Sequence, residues 1–176
     1  NVRRVILTHN HGDHTGGLLT LRRDVMTRNP QALSEAIAGK GIFAARLGGN
    51  GMVMVKRDYE SMGGKIREID RPEMIAPGVW LTGPVPRVHP ERNWSGSGKI
   101  RTESGAEVED NLPEDQALII DTDQGLILIS GCGHAGIINI CRYAQRLTGV
   151  ERLHCVVGGF HLNGPLFEPV IGPTVD

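Results

Sequence analysis

The run Val5-Ile6-Leu7-Thr8-His9-Asn10-His11-Gly12-Asp13-His14-Thr15-Gly16-Gly17 carries the most information in this chain of 176 residues. Val2, Val5, Ile6 and Leu7 form a β-rich apolar run that stops at Thr8, which reads as a buried strand. A helix is expected directly after the loop, with Leu18, Leu19 and Leu21 on its apolar side. Three of the chain's seven histidines, His9, His11 and His14, lie with Asp13 in the six residues between. Imidazole and carboxylate donors at this density suit Zn, Mn or Fe. His9 and His11 alternate along the loop and can face one ion, while Asp13 and His14 face a second. Gly12 permits a tight backbone, and Gly16-Gly17 allow close approach of chain to site. The start of the following helix would add a positive dipole that favours anionic groups.

Working outward, residues 31–47 place Ala, Leu, Ile and Phe at roughly helical spacing, so short helices are expected there. Residues 48–82 suggest meandering strands at 52–56, 65–69 and 79–82, separated by Gly and Pro. Residues 83–114 have almost no periodicity and form the expected active-site loop. Two apolar runs around Thr122-Asp123-Gln124 predict a hairpin over 117–130. Gly131-Cys132-Gly133-His134 closes its second strand. Residues 137–147 fit an amphipathic helix closed by Gly149. Residues 153–157 read as a further buried strand ending at Gly158-Gly159-Phe160-His161. Together these predict one layered α/β domain over residues 1–176.

The bulk properties narrow the partners. A net charge of -1 gives no electrostatic case for nucleic acid or a membrane surface. Three cysteines at irregular spacing do not form a disulfide framework, so a reducing, cytoplasmic setting is expected. No stretch approaches a membrane span, and no signal peptide is evident. The chain opens without Met, directly on a strand, and we expect it to be an excerpt truncated at both ends.

His9-x-His11-x-Asp13-His14 after a strand resembles the signature of the metallo-β-lactamase superfamily. More narrowly, the chain resembles the dihydropteroate-synthase-like branch. That branch includes the synthase that joins a dihydropterin to ribofuranosyl-aminobenzene phosphate in methanopterin biosynthesis. The segments that carry this are His14-Thr15-Gly16-Gly17-Leu18, Thr82-Gly83-Pro84-Val85-Pro86-Arg87, Glu114-Asp115-Gln116-Ala117-Leu118, Gly131-Cys132-Gly133-His134-Ala135-Gly136-Ile137 and Gly158-Gly159-Phe160-His161-Leu162. The resemblance implies a four-layer αβ/βα sandwich with two divalent metal ions, zinc foremost and Mn or Fe as alternatives, at one edge. It implies metal ligands at His9, His11, Asp13, His14, His134 and His161. Asp13 and His14 would be catalytic, and Arg87 would bind a phosphorylated small-molecule substrate.

For the downstream residues more than one reading stands. His134 is a ligand or a cap of its turn. His161 is a ligand, a substrate contact or a packing residue. Arg92 and Arg101 join Arg87 in a phosphate clamp or lie in a solvated loop. Trp94 stacks on a planar ring or packs its own loop. Cys132 is read as small-residue packing under the turn, with a thiolate ligand as the other reading. His89 and His154 are read as a loop and a strand residue without a site role. The chain departs from the superfamily at one point. Most members carry a bridging Asp between the later histidines, and here no Asp occurs between Asp123 and Asp176.

The function implied is metal-dependent hydrolysis or group transfer at a phosphate- or diphosphate-bearing, pterin-related substrate. A bound metal ion lowers the pKa of its water to about 7 and polarises an electrophile. The alternatives are a di-iron redox protein of the same fold, in which Glu typically stands where this chain has His11, and a binding domain that kept the fold without catalysis.

Overall fold

The computed structural model describes residues 2–91, 93, 98–102 and 104–175. The expectations for Arg92 and Trp94 lie outside the described residues. Two sheets pack face to face, with helices on their outer sides. The first sheet is parallel, in the order β1 (Arg4–Leu7), β2 (Glu35–Gly39), β3 (Lys65–Ile69). The second has the order β10 (Leu153–Val157), β9 (Gly125–Ser130), β8 (Ala117–Thr122), β5 (Val79–Leu81), β4 (Glu73–Ala76). It is antiparallel except where β10 runs parallel to β9. A small hairpin, β6 (Lys99–Arg101) with β7 (Glu107–Glu109), stands apart.

Strand alternation explains the layers. In β2, Ala36 and Ala38 face the helices α2 (Leu18–Met26) and α3 (Gly51–Ser61), packing with Leu18, Met52 and Tyr59. Ile37 points the other way and meets Ile69 and Leu81 between the sheets. In β8, Ala117 and Ile119 face the helix α4 (Ile137–Thr148), meeting its Ile140 and Ala144, while Leu118 turns back toward the inter-sheet core. The result is the expected four-layer αβ/βα sandwich. Full burial of a side chain such as Ile37 or Ile140 contributes roughly 1.5–3 kcal/mol, so each layer contact rests on a few such residues.

Several local expectations are corrected. Residues 35–39 form a strand, because a central strand of a parallel sheet is apolar on both faces and shows no alternation to separate it from a helix. Residues 52–56 belong to α3, whose Met52, Val55 and Tyr59 meet the core at helical spacing. Asn50 caps that helix by accepting the Met52 N–H at 2.9 Å. The strand β4 and the hairpin β6–β7 are additional to the expected elements. Residues 153–157 are a strand, but one at the sheet edge and partly exposed. The helix expected directly after the metal loop is interrupted: a single turn, α1 (Gly12–Thr15), precedes α2. No helix among the described residues is long and apolar enough to cross a membrane.

Candidate metal centre

Three strand ends meet at one edge of the sandwich. The end of β1 delivers residues 8–14, the end of β9 delivers 131–134, and the end of β10 delivers 158–161. Because β9 and β10 run parallel, their carboxyl ends fall side by side. The His9 and His11 ring centres are 4.7 Å apart, and each lies 4.8 Å from that of His134. His9 and His14 are 4.4 Å apart on the same measure. Residues 118 positions apart in sequence touch here: Cys132 Sγ is 3.1 Å from His14 Nε2.

Donor atoms fall into two groups. One comprises His9, His11, Cys132 and His134; the other comprises Asp13, His14 and Cys132. Within each group all donor atoms lie within 4.8 Å of one another. His9 is fully buried, and His134 is 6% exposed. Yet His9 Nε2 and both ring nitrogens of His134 have no hydrogen-bond partner among the described residues. Buried polar atoms without partners are uncommon and costly. Three imidazoles facing one another beside a thiol are what a cation would satisfy, so the donor set fits divalent metal.

Electrostatics agree with that fit. Burial, reinforced by the neighbouring histidines, lowers the pKa of His9 to about 2. The same causes lower His134 to about 3, and burial lowers His11. At neutral pH these rings are uncharged, so their lone pairs are ready to bind a cation. Burial pushes the Cys132 thiol up to about 11, so it carries its proton until a cation displaces it.

The surrounding residues hold the donors in place. Thr8 Oγ1 is 3.0 Å from His9 Nδ1. Gly131 must lack a side chain, since a Cβ there would lie 2.3 Å from Thr8 Oγ1. Glu114, Asp115 and Gln116 connect the two halves of the site. Glu114 accepts the Asn10 N–H at 3.1 Å and is itself gripped by Arg46. Asp115 accepts the Ala135 N–H at 2.8 Å, beside His134. Gln116 donates from Nε2 to the Leu7 carbonyl at 3.0 Å. Residues 87–91 and Asn93 fix the His134 turn from the other side. Asn93 Nδ2 donates to the carbonyls of Cys132, Gly133 and Phe160. Asn139 accepts the N–H groups of Val88 and His89 and donates to the His89 carbonyl. Glu91 accepts the N–H groups of Ile138 and Asn139, capping α4 in place of its own N-cap, Gly136.

The expected residues are thus placed as follows. His9, His11, Asp13, His14 and His134 are brought together. His161 stacks on His134, with ring centres 5.2 Å apart, and stands outside both donor groups. Arg87 reaches inward: its Nη2 donates to the carbonyls of Asn111, Leu112 and His134, which commits that nitrogen to the protein backbone rather than to a ligand. Arg101 pairs with Glu107 at 3.0 Å on the hairpin. His154 is exposed on the edge strand. Cys132 was underweighted by sequence reasoning, and Arg46, Glu91, Asn93 and Asn139 were missed. Glu91 and Asn93 sit in a glycine- and proline-rich loop, and Arg46 and Asn139 find their partners in distant segments, so none gave a signal of its own. A cleft of about 760 Å³, lined by Ile137, Leu153, Val156, Phe160, His161 and Leu162 among others, opens beside His161.

Comparison with known proteins supports the same class. The model of the metallo-beta-lactamase superfamily matches residues 1–28. The chain is 30% identical over 170 residues to a Methanocaldococcus jannaschii protein named 7,8-dihydropterin-6-methyl-4-(beta-D-ribofuranosyl)-aminobenzene-5'-phosphate synthase, covering 92% of this chain and 57% of the relative. It is 29% identical over 163 residues to an uncharacterized protein of the same organism, covering 91% of this chain and 58% of that one. A solved structure described as a metal-dependent hydrolase of the beta-lactamase superfamily superposes with a TM-score of 0.73. It is 24% identical and covers 98% of this chain and 63% of its own. The chain has the fold of the metallo-β-lactamase superfamily. It spans somewhat under three fifths of the length of the curated relatives it matches.

Proposed function

We propose that this chain carries the metal centre of an enzyme that transfers or hydrolyses a group on a phosphate- or diphosphate-bearing, pterin-related small molecule. The observation that carries the reading is the pair of donor groups, with buried, unpartnered imidazole nitrogens, at the convergence of three strand ends. The 30% identity to a pterin-related synthase over nearly the whole chain supports the choice of substrate class.

Two divalent ions, zinc foremost, would be held by His9, His11 and His134 on one side and by Asp13 and His14 on the other. Bound there, they would supply Lewis acidity and neutralise a leaving diphosphate. The protein's own residues have separable roles. The Asp13 side chain is 73% exposed, with Oδ2 3.3 Å from His14 Nε2, and in this reading it would take a proton from an incoming nucleophile. His161, stacked on His134 at the mouth of the apolar cleft, would contact the substrate ring. Arg87 would position the His134 turn through its carbonyl.

The test is a paired assay on one zinc-loaded preparation, with a dihydropterin methyl diphosphate offered with and without a ribofuranosyl-aminobenzene phosphate. Release of diphosphate only with the aromatic acceptor supports transfer, and release without it supports hydrolysis. Absence of release in both, from folded and metal-replete protein, would reject the pterin reading.

A further inference from the structure

The two donor groups have one member in common. Cys132 belongs both to the set with His9, His11 and His134 and to the set with Asp13 and His14. We propose that Cys132 is the shared ligand of the two metal positions, its thiolate sulfur taking the bridging role that an Asp has in most of the superfamily. This rests on the metal-enzyme reading above and goes beyond it, because it assigns the donor that the sequence lacks.

Four observations carry it. First, Sγ is 3.1 Å from His14 Nε2, which places it on the second group, while it shares a 4.8 Å envelope with the three donors of the first. Second, the first group contains His9 Nε2 and both His134 ring nitrogens, all buried and without partners, so the space that Sγ faces is built for an electron-pair acceptor. Third, the sulfur's backbone is immobilised. Asn93 Nδ2 donates to the Cys132 carbonyl at 3.2 Å and to that of Gly133 at 2.7 Å, and Gly131 allows the strand end to press against Thr8. Fourth, a purely packing role for Cys132 would surround the sulfur with apolar side chains, whereas here imidazoles and a carboxylate surround it. Neither Cys141 nor Cys155 joins a donor group among the described residues.

Binding would exchange the S–H bond for sulfur–metal bonds and release one proton to solvent. A soft sulfur donor between imidazoles favours zinc over magnesium or manganese, so the centre should discriminate accordingly.

Cobalt(II) reports on this directly, because thiolate ligation gives a near-ultraviolet charge-transfer band that nitrogen and oxygen donors do not. Metal-free protein carrying Cys141→Ala and Cys155→Ala would be titrated with cobalt(II), following both the band and the bound metal. The expected result is two bound equivalents with the band growing through both. Cys132→Ser should abolish the band and weaken binding. Cys132→Asp, a carboxylate in the same position, should keep two equivalents with no band, which also guards against a serine variant that fails to fold. Two bound equivalents without a band would show that Cys132 is not a ligand. A band complete after the first equivalent would show that it serves one ion alone. Either result overturns the shared-ligand assignment and leaves the metal centre intact. If folded protein binds no cobalt, the metal-enzyme reading falls along with it.

Discussion

Thr8 Oγ1 lies 3.0 Å from Nδ1 of its neighbour His9, and this contact sets which ring nitrogen faces the donor cluster. For Nε2 to bind a cation it must be unprotonated, so Nδ1 carries the hydrogen and donates it to the threonine hydroxyl. Such outer contacts typically govern metal affinity by about 10–100-fold. Thr8→Val should therefore weaken zinc binding by about that factor in a chelator competition, and Thr8→Ser should restore it. Equal affinities in Thr8→Val and wild type would remove the threonine from the account.

Glu91 and Gly136 depend on each other. Glu91 accepts the first free N–H groups of α4, and a Cβ on Gly136 would come within 2.2 Å of the Glu91 carboxyl carbon. Gly136 also has φ +97°, outside the comfortable range of other residues. Glu91→Ala should cost about 1–2 kcal/mol of stability, as helix caps do. Gly136→Ala should cost more, from strain plus collision. The double variant should lose about 1 kcal/mol less than the sum, because removing Glu91 also removes the collision. Urea denaturation of the three variants gives the comparison, and strict additivity would contradict the packing described.

The metal-free protein should weaken as pH falls. Burial and neighbouring histidines hold His134 near a pKa of about 3 when folded, against about 6.5 unfolded. A group whose folded pKa is depressed contributes fully above its unfolded value and loses that contribution as pH drops below it. Between pH 6.5 and 3 the unfolded chain takes up a proton that the native state refuses. By pH 5 this amounts to about 2 kcal/mol for His134. Wild type should therefore lose about 2 kcal/mol relative to His134→Gln between pH 7 and pH 5, both in chelator. A constant difference across that interval would mean that His134 is less buried than described.

The parts of this protein that could be read in its sequence are those in which neighbours in space are neighbours in the chain. His9, His11, Asp13 and His14 identify themselves because a single strand end carries all four. The 117–130 hairpin and the helix ended by Gly149 follow from local periodicity and turn chemistry. The strand Glu35–Gly39 was misread because Ala36, Ile37 and Ala38 are buried on both faces, leaving no alternation. The helix Gly51–Ser61 was misread because Val53 and Met54 are 55% and 60% exposed, which blurs its apolar stripe into a strand-like run. Cys132 illustrates the harder case: alone it is a small apolar residue in a turn, and its donor character emerges only when β1 and β9 bring His14 beside it. The same holds for Glu114, whose partners Asn10 and Arg46 come from distant segments.

The central claim is that His9, His11, Asp13, His14, Cys132 and His134 form a metal centre. Elemental analysis of purified, zinc-reconstituted protein after exhaustive removal of free metal tests it most directly. The account predicts about two equivalents of zinc per chain in the wild type and a marked loss in His9→Ala that leaves the fold in place by circular dichroism. Folded wild-type protein with no stoichiometric metal, or His9→Ala with an undiminished content, would contradict it.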